Sequence, residues 1–128
     1  MSASMTTSLA IAVGGALGAL LRFWVGQGAA IMLGRDFPFG TLIVNVGGCL
    51  AAGILWGLFF ERYAIPASLR AGIMVGLLGA FTTFSAFSIE SVLLIQQGGY
   101  AKASINLLSN AFLCLAAAWL GLGIARSL

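Results

Sequence analysis

Four apolar runs, each long enough to cross a bilayer and joined by short polar connections, leave this chain little choice of fold. They cover about 7–33, 40–60, 68–96 and 101–125. A helix rises about 1.5 Å per residue, so roughly twenty apolar residues span the hydrocarbon core of a membrane. Only 7% of the 128 residues are charged, against roughly a quarter in a soluble globular domain. The connections are Gly34–Pro38, Glu61–Pro66 and Gln97–Tyr100, and Pro38 and Pro66 fall just before helix starts, where proline is tolerated. Residues 1–128 therefore read as one all-α transmembrane domain of four helices. The N-terminal Met-Ser-Ala-Ser-Met-Thr-Thr lacks the basic region of a cleaved signal, so the first run reads as retained.

The first and third runs exceed the length a span needs. In the first, Arg22, Gln27 and the glycines around Gly26 predict that the buried helix ends early and an interfacial stretch follows. In the third, Gly79 to Phe87 reads Gly-Ala-Phe-Thr-Thr-Phe-Ser-Ala-Phe. Such a concentration of hydroxyls and phenylalanines predicts a broken helix. Freed backbone groups at membrane depth are tolerated only where protein or a water-filled path covers them, and broken helices recur at ion sites. The segment points to ion permeation or transport.

The remaining composition excludes other classes. Arg22, Arg35, Arg62, Arg70, Lys102 and Arg126 are scattered, so the net charge of +3 gives no nucleic-acid footprint. Cys49 and Cys114 lie within apolar runs and read as small buried hydrophobes, and the absence of histidine leaves no zinc or haem motif. With only Asp36, Glu61 and Glu90 as acids, no nucleophile–base pairing supports an enzyme.

Orientation is weakly encoded. Four spans put Arg62, Arg70 and Arg126 on one side and Arg35 and Lys102 on the other, with Arg22 intramembrane. That bias is too small to fix one topology and favours insertion both ways, hence antiparallel pairing. Gly14-x-x-x-Gly18 and Gly72-x-x-x-Gly76 place small residues on single helix faces and, in so short a chain, favour a homodimer.

Several polar residues inside the spans are candidates for the ion path. Arg22 is a fixed positive charge that either draws anions into a vestibule or snorkels from a helix end. The Asn45 amide either donates to an anion or joins helices. Asn106 and Asn110, four apart, with Ser109 nearby, form a polar track or, more simply, an interhelical seam. Phe84 and Phe87 flank Ser85 and Ala86; packing is the common use of such a pair, and a positive ring edge receiving an anion is the alternative. Glu90, within the third run, is a proton carrier or an interfacial acid.

Three ordered motifs match a known family. Gly14-Gly15-x-x-Gly18-Ala19-x-x-Arg22-Phe23, Gly40-Thr41-Leu42-x-Val44-Asn45-x-x-Gly48 and Gly79-x-x-Thr82-Thr83-Phe84-Ser85-x-Phe87-Ser88 resemble those of the Fluc (CrcB) fluoride channels, with Phe23 for the usual tyrosine and Ala86 for threonine. The resemblance covers all four spans. It implies an antiparallel, dual-topology homodimer in the inner (plasma) membrane of a bacterium, with two pores that pass fluoride out of the cytoplasm and protect against its toxicity. Phe84 and Phe87 would offer ring edges, Asn45 a hydrogen bond and Arg22 a vestibule charge, with Ser85, Asn106 and Asn110 lining the path. The resemblance also implies one structural sodium ion on the dimer axis, held by backbone carbonyls of Gly79 and Thr82. The rival reading, a small dual-topology proton-coupled exporter, needs a carboxylate in the first span, which has none.

Overall fold

The computed structural model describes residues 1–128 and is all-helical. Four helical stretches are long and apolar enough to cross a membrane: Ala3–Leu33, Phe39–Arg62, Ala67–Gln96 and Tyr100–Ser127, here called the first to fourth spans. The first opens under a cap in which the Met5 N–H donates to Ser2 Oγ at 3.3 Å. It then continues through Gly26 and Gly28 to Leu33, so the early end expected near Gly26 does not occur. Glycine in a helix costs about 1 kcal/mol relative to alanine, too little to end an apolar helix of this length. A Cβ added at Gly40 would lie 2.9 Å from Gly26 Cα, so the first and second spans approach backbone to backbone. The helix stops at Gly34, whose φ of +83° suits glycine.

The glycine stripes have a different partner from the one the sequence predicts. A Cβ at Gly14 would run into the carbonyl of Gly72, and one at Gly18 into that of Leu77. Gly72 and Gly76 in turn face Ala10 and Ile11. The two Gly-x-x-x-Gly faces therefore pack the first span against the third within one chain, and spend there the close approach read as favouring a homodimer. Spacing defines a small-residue face but not what covers it. Wider π-helical turns occur at Gly72–Leu78, along these contacts, and at Gly57–Arg62, where Gly57 lies against Ala125 of the fourth span.

The second and fourth spans run parallel in a constant register. Asn45 meets Asn110, a Cβ at Gly53 would strike the Ala118 carbonyl, and Glu61 meets Arg126; members of each pair are 65 positions apart. The last rung is a bidentate ion pair, with Arg126 Nε and Nη2 donating to the Glu61 oxygens at 2.9 and 2.8 Å. Exposed as it is, it adds little stability.

Polarity is inverted relative to a soluble domain. Leu17, Trp24, Phe112, Leu115 and Trp119 point outward, whereas Thr41, Asn45, Thr83, Ser91, Asn106 and Asn110 are buried. An apolar exterior around a polar seam is the arrangement a bilayer demands, since buried polar groups must find partners inside the protein.

Candidate functional site

The site forms where the third span leaves helical geometry. Thr82 and Thr83 take extended dihedrals, with ψ of 159° and 123°, and the helix resumes over Phe84–Gln96. Both threonines stabilise the departure locally. Thr82 Oγ1 donates to the Leu78 carbonyl at 2.9 Å, and Thr83 Oγ1 caps the following helix by accepting from the Ala86 N–H at 3.1 Å.

Asn45 on the second span pins this bend from outside. The Thr83 N–H donates to Asn45 Oδ1 at 2.8 Å, and Asn45 Nδ2 donates to the Thr83 carbonyl at 3.0 Å. A backbone N–H only donates and a carbonyl only accepts, so this pairing fixes which way the amide points. Three residues on, Gly48 leaves room for Thr82: a Cβ there would collide with the Thr82 methyl. The spacing Asn45-x-x-Gly48 thus serves two adjacent residues of the third span.

From Asn45 the hydrogen bonds run on without a gap. Asn45 Nδ2 donates to Asn110 Oδ1 at 2.9 Å; Asn110 Nδ2 donates to the Asn106 carbonyl and Oδ1, both at 3.0 Å. Asn106 Nδ2 donates to Ser91 Oγ at 2.9 Å, and Ser91 Oγ to the Phe87 carbonyl at 2.8 Å. Asn106 and Asn110 therefore form the interhelical seam that their spacing predicts. Both Asn45 N–H groups are committed within the chain, to Thr83 and Asn110. Sequence reasoning missed Thr83 and Ser91 as partners; the available signal was Ser91 lying one turn beyond Phe87.

Phe84 and Phe87 stand on the first turn after the bend, ring centroids 5.3 Å apart and planes tilted by 57°. Their environments differ: Phe87 is 9% exposed, whereas Phe84 is 78% exposed. Ser85, exposed beside Phe84, has its hydroxyl 3.2 Å from Thr83 Oγ1.

One end of the molecule holds a cavity of about 710 Å³ lined by residues that include Arg35, Lys102, Thr41 and Glu90. Thr41, one turn before Asn45, donates to Glu90 Oε1 at 2.8 Å, while Glu90 Oε2 is buried without a partner. The cavity thus ends on polar groups one turn from the Asn45–Thr83 pairing. Arg22 is half-buried and makes no hydrogen bond or ion pair; it lies one turn from Gly26, which lines the cavity, but does not line it itself.

The bend also changes what its carbonyls can do. Thr83 gives its N–H to Asn45 rather than to the Gly79 carbonyl, and the Thr82 carbonyl accepts no hydrogen bond. Gly79 is exposed on the surface of the chain. Neutral oxygens of this kind suit a hard cation, so the donors present at the bend fit the type of ion that the family resemblance implies.

An all-helical chain with an apolar exterior, four membrane-length helices and a polar interior seam is a multi-pass membrane protein. The family model described as "CrcB-like protein, Camphor Resistance (CrcB)" matches residues 9–122. The chain is 51% identical over 119 residues to a protein of Methylococcus capsulatus named fluoride-specific ion channel FluC. That match takes in 93% of this chain but 52% of the relative, so the chain spans about half that protein's length. Proteins of the same name from Pseudoalteromonas translucida and Aeromonas salmonicida are 50% and 46% identical, over 93% and 98% of their own lengths. The chain belongs to the CrcB family.

Proposed function

We propose that this chain is a fluoride-selective ion channel that lets fluoride leave the cytoplasm passively and so protects the cell from fluoride toxicity. The observation that carries the proposal is the convergence of the matched motifs on one place. Asn45 and Gly48 shape the bend at Thr82–Thr83, and Phe84 and Phe87 project from the turn that follows, in a chain whose full-length relatives are named fluoride-specific channels. Fluoride is small and strongly hydrated, so a selective path must replace its water with fixed partners. The Phe84 and Phe87 ring edges supply them, Asn45 and Ser85 complete the wall beside the bend, and the Asn106–Asn110 seam backs it. Arg22, with Arg35 and Lys102 at the cavity, biases the entrance toward anions.

The working unit in this proposal is an antiparallel homodimer in the inner membrane of a bacterium, its apolar exterior against lipid. The strong exposure of Phe84 in the single chain supports a second copy covering that face. Two copies would bring the Gly79 and Thr82 carbonyls of each together around one structural sodium ion, and the bend at Thr82–Thr83 is the broken helix that releases them. A proton-coupled exporter is the weaker reading, because the first span carries no carboxylate.

Expression in a bacterium lacking fluoride export restores growth in fluoride. A single-thiol tag on the C-terminus of that functional protein is labelled by a membrane-impermeant reagent from both faces of the membrane. Absence of rescue by the well-expressed protein contradicts the function, and labelling from one face only contradicts dual insertion.

A further inference from the structure

The register between the second and fourth spans contains a rung that the channel reading does not use. Pairs 65 positions apart meet at Asn45–Asn110, at Gly53–Ala118 and at Glu61–Arg126. Each helix advances about one turn every four residues. The same register therefore sets Cys49 opposite Cys114, between a side-chain hydrogen bond on one side and a backbone contact on the other. Both cysteines are free and half-buried. One turn away, the Gly53 backbone lies against the Ala118 carbonyl, so the helices are as close as backbones allow. A disulfide requires Cα atoms roughly 4.4–6.8 Å apart, and the Gly53–Ala118 contact one turn away marks the close approach of the two helices on which such closure depends.

We infer that Cys49 and Cys114 form a dithiol site that closes into an intramolecular disulfide when a neutral, lipid-soluble oxidant of the quinone class reaches it. Two S–H bonds break and one S–S bond forms. Two electrons and two protons pass to the quinone, which becomes the hydroquinone. The thiol pair and the disulfide are both neutral, so closure leaves no charge among apolar side chains. A dithiol reductant reverses it by exchange. The closed form ties the second span to the fourth one turn from the Asn45–Asn110 hydrogen bond.

The test uses the purified full-length protein and tetramethylbenzoquinone, whose substituted ring cannot add to thiols. After treatment, denaturation and maleimide alkylation, wild-type protein shows both thiols lost together and an intact mass lower by two hydrogens. It runs as a single chain on a non-reducing denaturing gel, and dithiothreitol restores both thiols. In Cys49→Ser and in Cys114→Ser the remaining thiol survives the same treatment. Full alkylation of the treated wild type, cross-linking between chains, or loss of the lone thiol in either variant overturns the inference.

Discussion

Phe84→Ile and Phe87→Ile each lower fluoride efflux from liposomes by about tenfold or more while the protein remains folded, because a barrier rise of only ~1.4 kcal/mol produces that loss. Isoleucine keeps most of the bulk, and apolar swaps that conserve volume cost under ~1.5 kcal/mol of stability. What isoleucine lacks is the ring quadrupole, whose positive edge is the partner for a partly dehydrated anion. The tilt of 57° between the two rings keeps their faces from stacking flat against each other and leaves edges available. Phe81→Ile, before the bend, serves as the control and reduces efflux much less. Efflux at the wild-type rate in both Phe84→Ile and Phe87→Ile removes the ring-edge mechanism, though not the channel.

Asn45→Ala has the second large effect, and it acts on the fold and the flux together. Alanine removes the acceptor for the Thr83 N–H and the donors to the Thr83 carbonyl and to Asn110 Oδ1. Hydrogen bonds between membrane helices are individually worth about 0.6 kcal/mol on average. A buried group left without a partner costs about 1–3 kcal/mol. The combined loss is therefore on the order of 2–4 kcal/mol, read as a lowered midpoint in thermal unfolding of the detergent-solubilised protein. Because Asn45 holds the bend that presents Phe84 and Phe87, efflux falls in the same variant. A variant that loses flux with an unchanged unfolding midpoint assigns Asn45 a direct contact with the ion rather than the pinning role.

The parts of this architecture that depend on local chemistry are legible in the sequence, and those that depend on partners are not. Four apolar runs define the spans because a bilayer tolerates little else, and the Asn106–Asn110 spacing marks one helix face. The hydroxyl cluster at Thr82 and Thr83 sits where the backbone becomes extended, since threonine side chains can satisfy groups a helix no longer does. In contrast, the stripes at Gly14, Gly18, Gly72 and Gly76 show a close approach without saying to what, and the structure turns them on each other. The helix through Gly26 likewise packs against Gly40, a tertiary contact that propensity does not contain. Thr41 and Glu90, 49 positions apart, and Asn45 and Thr83, 38 apart, meet only through packing of the second span against the third.

The most direct test of the central claim is efflux from liposomes holding the purified protein, loaded with fluoride in one preparation and chloride in the other, with no proton gradient imposed. A passive fluoride-selective channel empties the fluoride vesicles and leaves the chloride vesicles full. Equal release of both anions, or fluoride release only when protons are exchanged for it, contradicts the account.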